Sequence, residues 1–334
     1  MNVRSVLDSA RGALAACLVS LAAVAAPAQA QAPRDVNVAL SFYASAEHGG
    51  YYAALAEGIY EKHGLNVKVT QVGPQGNNMQ LMVSGRMDFV NGWSMRALNA
   101  VREEIPLVSV AAVFQRDPQC LVHHQGAYAR LENMKGAPIR VAQLARGSFW
   151  PWLKVRYGFD DSQLRPFDTS YAALLQDPKM VQQGFITNDG FQFKRQNLAM
   201  DCMLLADYGW SSYNYTIDTT QRLIKENPKL VADFVKATVE GWRAFFKDPA
   251  PASRLIKANN PQMSDEQIGY AMAQMKQYGL IESGDAAGGR IGQMSDARWT
   301  AFYQEMVAAK ALPPGLDPRK AYDLQFIKQL YPNN

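Results

Sequence analysis

Basic runs are missing from this 334-residue chain, and its net charge is only +4. A nucleic-acid partner is therefore not expected. Charged residues make up only 19% of the chain against 48% hydrophobic, which excludes a disordered protein and fits a packed one. Histidines number four, and no pair of them has metal-ligating spacing on a helix. His123 and His124 are adjacent on an expected strand, so their side chains face opposite sides. Neither a Gly-rich phosphate fingerprint nor a nucleophile elbow occurs, so no metal, cofactor or catalytic group is expected. A fixed internal repeat is absent as well, which excludes a solenoid.

Long hydrophobic runs are confined to the first thirty residues. Arg4 and Arg11 precede an apolar core containing Leu14, Leu18, Leu21 and Val24, and Ala28-Gln29-Ala30 is an A-x-A cleavage site. Residues 1–30 thus read as a secretory signal peptide, with cleavage after Ala30 or Ala32. Leu14-Ala15-Ala16-Cys17 resembles a lipoprotein box, but Arg11 lies too close for an apolar stretch to precede it, so anchoring at Cys17 is not expected. Cleavage removes Arg4, Asp8 and Arg11 and lowers the net charge to +3. The mature chain is expected to be a soluble periplasmic protein. Its two remaining cysteines, Cys120 and Cys202, permit a disulfide in that oxidising compartment. The plainer expectation is two separate buried thiols, because spacing alone does not bring their Cα atoms within reach.

What is present begins at residues 36–63. Val36, Val38 and Leu40 alternate as a half-buried strand. Phe42, Tyr43, Glu47 and His48 then crowd two rings, a carboxylate and an imidazole into one loop. Gly49-Gly50 lets the backbone approach whatever lies above it, and a helix over 51–62 follows. Further strands are expected over 66–72, 89–92, 107–114 and 120–123, with helices between. A second α/β unit starts near Gly126, with strands over 139–142, 164–168, 184–187 and 203–206. Residues 211–217 read as a strand returning to the first unit. The remainder is helical, with a strong amphipathic helix over 231–246. The fold class is α/β, with two lobes expected from the length.

Aromatic and polar residues recur after the expected strands: Phe42, Tyr43, Glu47 and His48; Trp93 and Ser94; Phe149 and Trp150; Asn188 and Asp189; Tyr208. Open α/β sheets bind ligands outside the carboxyl ends of their strands. Each ring alone fits core packing, but their shared placement points to a small-molecule pocket of apolar walls with a few polar groups. Glu47 and His48 also have the composition of an acid/base pair. With no nucleophile or metal beside them, ligand binding is the better supported role.

Three segments carry a resemblance to a known family: YYAALAEGIYEKHGLNVKV, LMVSGRMDFVNGW and DYGWSSYNYTIDTTQRLIKENPKLVADFVKATVEGWRAFFKDP. Residues 36–248 resemble the periplasmic substrate-binding proteins of the thiamine-pyrimidine, nitrate and sulfonate importers. Phe42 through Gly50 is similar to the opening loop of the pyrimidine-type branch. The resemblance implies a type II periplasmic binding protein, each lobe a mixed, mostly parallel sheet flanked by helices. It implies a first lobe of 33–124 and 211–334, a second of 125–210, and crossover strands near 120–124 and 211–217. It further implies a ligand held between the lobes, an acidic ligand residue at Asp189 where the family has Glu, and delivery to the transmembrane subunits of an ABC permease. A monomer is expected.

The expected ligand is a small planar heterocycle, with a thiamine-precursor pyrimidine favoured. Two alternatives are kept. One is a sulfonate- or nitrate-type anion held at the helix N-termini near Gly76-Asn77 and Gly147-Ser148. The other is a secreted enzyme using Glu47 and His48. The fungal pyrimidine-synthesising enzymes that share the fold carry a Cys-rich motif that this chain lacks, so no enzyme activity is expected.

Overall fold

Two five-stranded sheets built on one plan organise the protein. The structure is a computed structural model that describes residues 32–73 and 77–332. The expected signal peptide, Cys17 and Gly76 lie outside the described residues. The first sheet contains β1 (Arg34–Ser41), β2 (Leu65–Val72), β3 (Phe89–Trp93), β4 (Leu107–Phe114) and β10 (Asn214–Thr220). Its order is β2-β1-β3-β10-β4. The second contains β5 (Gln119–His124), β6 (Ile139–Arg140), β7 (Leu164–Arg165), β8 (Val181–Phe185) and β9 (Met200–Leu204), in the order β7-β6-β8-β5-β9. In each sheet four strands share a direction and one runs against them: β10 in the first and β5 in the second. These two antiparallel strands are the crossovers.

The expected first lobe ended after His124, but Gln119–His124 ladders with β8 and β9 of the second sheet. The chain therefore changes sheet between Phe114 and Gln119. Cys120 and Cys202 correct a second expectation. Because β5 and β9 are hydrogen-bonded neighbours, the two residues lie on one face with Cα atoms 5.5 Å apart, and they form a disulfide.

The helices are α1 (Gly49–Ala56), α2 (Ile59–Lys62), α3 (Asn78–Val83), α4 (Ser94–Arg102), α5 (Gln143–Arg146), α6 (Phe149–Tyr157), α7 (Ala172–Gln176), α8 (Asp189–Gln196), α9 (Gln221–Glu226), α10 (Pro228–Lys247), α11 (Ala250–Asn259), α12 (Asp265–Gln277), α13 (Asp296–Ala308) and α14 (Gln325–Leu330). The expected single helix over 51–62 is broken: Gly58 adopts φ +64, which ends α1 and reorients the chain into α2.

Proline at the first turn of α10 fits the fixed φ that a helix start requires. Its apolar face buries Leu230, Val231, Phe234, Val235, Trp242 and Phe245 against the first sheet and α1. Phe234 is stacked between Phe89 at 3.9 Å and Tyr60 at 5.5 Å. Gly49 and Gly50 serve this packing. A Cβ on Gly49 would collide with Phe245, and one on Gly50 with Trp242, while a Cβ on Gly241 would collide with the Gly50 carbonyl. The close approach anticipated at this Gly-Gly pair is thus to a neighbouring helix.

β4 lies at the edge of its sheet, yet all eight of its residues are buried. The C-terminal segment covers that edge. Ala112 N–H donates to the Gly292 carbonyl, and Asp323 N–H donates to the Ser109 carbonyl, both at 2.9 Å. Capping of this kind removes an open strand edge.

Candidate functional site

β1 ends at a loop that turns back under itself. Phe42 takes φ +66, its N–H donates to the Val72 carbonyl, and its ring is 49% exposed. Tyr43 is 58% exposed. The next residue is anchored: Ala44 N–H donates to Gln71 Oε1 at 2.7 Å, and Asn260 Nδ2 donates to its carbonyl at 2.9 Å. A 3-10 turn over Ala46–His48 then packs on α12.

That turn buries Glu47 and His48 together. His48 Nδ1 lies 3.3 Å from Ser45 Oγ, and Nε2 has no hydrogen-bond partner among the described residues. Burial lowers its pKa to about 4, against a smaller opposing effect from the Tyr43 backbone, so the ring is neutral at pH 7. Glu47 is 7% exposed and has no hydrogen-bonding or ion-pair partner among the described residues.

Trp93 closes β3, opposite Asn214 of the returning crossover, and the Arg96 guanidinium lies 5.4 Å from its ring centroid. Behind it Arg96 is buried near Asp218, whose Oδ1 accepts from Ser109 Oγ at 2.7 Å. Burial raises the Asp218 pKa, and the Arg96 charge opposes that rise. Ser94 is fully engaged with the crossover: its N–H donates to the Tyr213 carbonyl at 3.1 Å, and its Oγ accepts from Tyr213 N–H at 3.0 Å.

The other expected residues divide. Phe149 and Trp150, read as a pocket wall, are packed in the interior instead. Phe149 meets Trp210 edge-on, and Trp150 meets Phe159 edge-on while its Nε1 donates to Asp161 at 2.8 Å. An aromatic pair opening a helix satisfies its apolar surface as well in a core as at a wall, and here the core holds it. Asn188 accepts from Gln267 Nε2 of α12 at 2.9 Å, which links the second lobe to the C-terminal helices. Asp189 is buried with both oxygens occupied: Oδ1 accepts from Tyr171 Oη and Oδ2 from Phe185 N–H, each at 2.6 Å. Burial raises its pKa, and these bonds oppose the rise. Tyr208 lies apart from the rest, lining an open cavity of about 850 Å³ with Arg130, Arg156, Tyr157 and Tyr278.

Two residues that the sequence reading passed over belong with Glu47. Tyr215 stands 5.5 Å from His48, edge to face, and 4.5 Å from Phe114. Asp117 sits between the sheets, accepting from Gln119 N–H at 3.0 Å, Gln119 Nε2 at 3.1 Å and Trp210 Nε1 at 2.9 Å. Gln119 in turn accepts from Gln183 Nε2 at 2.8 Å. An Asp in a turn and a Tyr in an alternating strand carry no sequence signal of either role. Among the described residues no group of three or more His, Cys, Asp or Glu could hold a metal ion, and no helix is long and apolar enough to cross a membrane.

Residues 45–252 match the family model described as NMT1/THI5 like. The riboflavin-binding protein RibY of Chloroflexus aurantiacus is 24% identical over 320 residues, covering 91% of this chain and 90% of that protein. The formylaminopyrimidine-binding protein of Halalkalibacterium halodurans is 22% identical over 247 residues, covering 70% and 72%. Among solved structures, the periplasmic aliphatic sulphonate binding protein SsuA from Escherichia coli superposes with a TM-score of 0.63 at 11% identity, covering 87% of this chain and 92% of that one. That likeness gives the fold, a two-lobed periplasmic binding protein.

Proposed function

Because the chain belongs to the NMT1/THI5-like family, we propose that it is the solute-binding component of an ABC importer that captures a small planar heterocycle between its lobes. The protein is exported to the periplasm by its signal peptide, works as a monomer, and hands its ligand to the permease transmembrane subunits without chemical change. The lobes meet at residues 115–118 and 209–213, where the chain passes twice between the sheets. A ring of the pyrimidine type, alone or fused into a larger system, is the favoured ligand. Formylaminopyrimidine and riboflavin, named for the two relatives above, both contain one.

One observation carries the choice against an anion. Glu47, next to the neutral His48, is a largely buried residue whose carboxylate has no hydrogen-bonding or ion-pair partner among the described residues. A sulfonate brought to this wall would meet an uncompensated negative charge, whereas a ring bearing N–H donors would satisfy it. Phe42, Tyr43 and Trp93 supply aromatic surface at the same end of the first sheet. Offset stacking on such rings adds about 0.5–1.5 kcal/mol beyond area burial.

Mass spectrometry of the small molecule released on denaturing the purified protein tests the proposal. A thermal-shift panel follows, in which a ligand at about 100 times its Kd stabilises by about 2.7 kcal/mol. Pyrimidines or flavins are expected to raise the melting temperature. A panel in which sulfonates raise it and heterocycles do not overturns the reading.

A further inference from the structure

Away from the crossovers, the bodies of the two sheets meet again between α12 and the β8–α8 turn. α12 belongs to the body of the first sheet. Its Ile268, Ala271, Met272 and Met275 are buried in the same apolar cluster as Val36 and Phe234, and the helix also packs on the Ala46–His48 turn. From there it reaches the second sheet's body. Gln267 Nε2 donates to Asn188 Oδ1 at 2.9 Å, across 79 residues of chain. The Tyr270 ring lies 5.9 Å from that of Phe191, tilted by 50°. Ile186, beneath them in the turn, is buried in the α12 cluster, so making this contact buries apolar surface.

Gly190 is shaped for the contact. It lies in the first turn of α8 and has no left-handed φ, so its own helix does not call for glycine. A Cβ there would run into the Tyr270 hydroxyl and come within 3.0 Å of Cζ, and the three atoms nearest to it would all be Tyr270's. The missing side chain is thus a notch on one body that receives a ring from the other. The contact also differs in kind from the crossovers. Asn188, Gly190, Phe191 and Tyr270 are each only half-buried, whereas the passages between the sheets are tied by the fully buried Asp117 and Trp210. A half-exposed contact of one hydrogen bond and one ring pair can part while the buried tie holds.

We infer that this contact is a latch: Tyr270 seated in the Gly190 notch, with Gln267 bonded to Asn188, holds the two lobes closed and so lengthens the stay of a bound ligand. The inference rests on the reading above, in which ligand is held between the lobes. Tyr270 is a positioning residue here, acting through the closed arrangement. Because α12 also packs on the Ala46–His48 turn, the latch and the loop expected to grip the ligand belong to one packed unit. Apparent affinity scales with the fraction of molecules already closed, and its loss shows mainly as faster dissociation.

Double electron–electron resonance on the mature full-length protein tests the latch, with spin labels at Lys62→Cys on α2 and Lys194→Cys on α8, both exposed positions. Without ligand, the labelled parent should show one short distance. Tyr270→Ala and Gly190→Ala should each add a population at longer distance, the first by emptying the notch and the second by filling it. With the ring gone there is nothing for the methyl to strike, so Gly190→Ala should change nothing further in the Tyr270→Ala background. Far-ultraviolet dichroism should stay that of the parent, since an alanine suits α8. Dissociation of riboflavin or formylaminopyrimidine, followed by stopped flow, should be about tenfold faster in each single variant, and no faster in the double variant than in Tyr270→Ala. Three results overturn the latch: no longer distance in Tyr270→Ala, an added effect of Gly190→Ala in that background, or unchanged dissociation of a heterocycle that the parent binds. Failure of the parent to bind either heterocycle, with the distances moving as described, leaves the latch standing and overturns the heterocycle reading.

Discussion

Asp117, just ahead of β5, accepts a hydrogen bond from Trp210 Nε1, ahead of β10, at 2.9 Å, so one buried carboxylate ties together both passages of the chain between the sheets. α13 reinforces the tie from the other side. Arg298 Nε donates to the Ser211 carbonyl at 3.2 Å, and its guanidinium also bonds the Gln115 carbonyl while lying 4.1 Å from the Tyr213 ring centroid. The two passages between the sheets are therefore bonded to each other and to α13.

Asp117→Asn should destabilise the fold by about 2–3 kcal/mol, because an amide NH2 would face the N–H donors of Gln119 and Trp210 that now converge on carboxylate oxygens. Urea denaturation at pH 7 measures it. A stability change within about 0.5 kcal/mol of wild type, the range of an ordinary surface substitution, would show that the node is dispensable.

His48 gives the fold an acid-sensitive element. Its folded pKa is about 4, below the usual histidine value of 6.5, so the unfolded chain takes up the proton first as pH falls. The stability contributed by the neutral ring is fully present above pH 6.5 and is lost as pH falls toward 4, amounting to about 3 kcal/mol over that window. Replacement by Gln removes a titrating group. Unfolding free energies of His48→Gln should accordingly decline less than those of wild type between pH 7 and pH 4.5. Parallel pH profiles for the two proteins would rule out the buried neutral imidazole.

Gly50 sits where α1 and α10 touch, and the methyl of Gly50→Ala would strike Trp242. Overpacking a tight core contact costs about 1–3 kcal/mol. Gly64→Ala is the comparison: it also loses a glycine, but at φ +71 with open space around the added methyl. A midpoint in urea shifted by the first substitution, with lost near-ultraviolet ellipticity from Trp242, distinguishes helix repacking from the backbone effect of the second.

The Cys120–Cys202 disulfide spans a sequence separation of 82 residues. Closing a loop of that size restricts the unfolded chain, and its removal typically costs about 2–5 kcal/mol. The protein purified from an oxidising compartment should show no thiol reactive to alkylation when denatured, and two after reduction. Cys120→Ser/Cys202→Ser should melt below wild type. Two alkylatable thiols without reductant would leave the cysteines as separate buried groups.

Sequence pattern reached the architecture because its signals were strong where the structure is regular. Val36, Val38 and Leu40 alternate, and all three are buried in β1, while the apolar stripe of α10 covers five turns without ambiguity. The site was less legible for reasons that are local. Phe149 and Trp150 follow a strand as a pocket wall would, yet the same composition fills a core, and only packing separates the two outcomes. Tyr215 lies in a stretch that alternates like any strand, so nothing in its neighbours marks the bulge between Asn214 and Thr216. Gly49-Gly50 correctly indicated a close approach, but the approaching partner, Trp242, comes from almost two hundred residues further along the chain. The disulfide was hidden for a similar reason: an even count of cysteines says nothing about which strands become neighbours.

β4 and β10 are antiparallel partners, and their ladder begins where Phe114 faces Asn214. All five strands of the second sheet lie in the chain between those two residues. The pair is thus a hairpin whose turn has been enlarged into an entire lobe. The arms stay zipped from Phe114–Asn214 back to Leu107–Thr220 whatever the inserted lobe does. The second lobe is consequently a body inserted at one end of a paired ladder, and that pairing bars it from sliding along the first sheet.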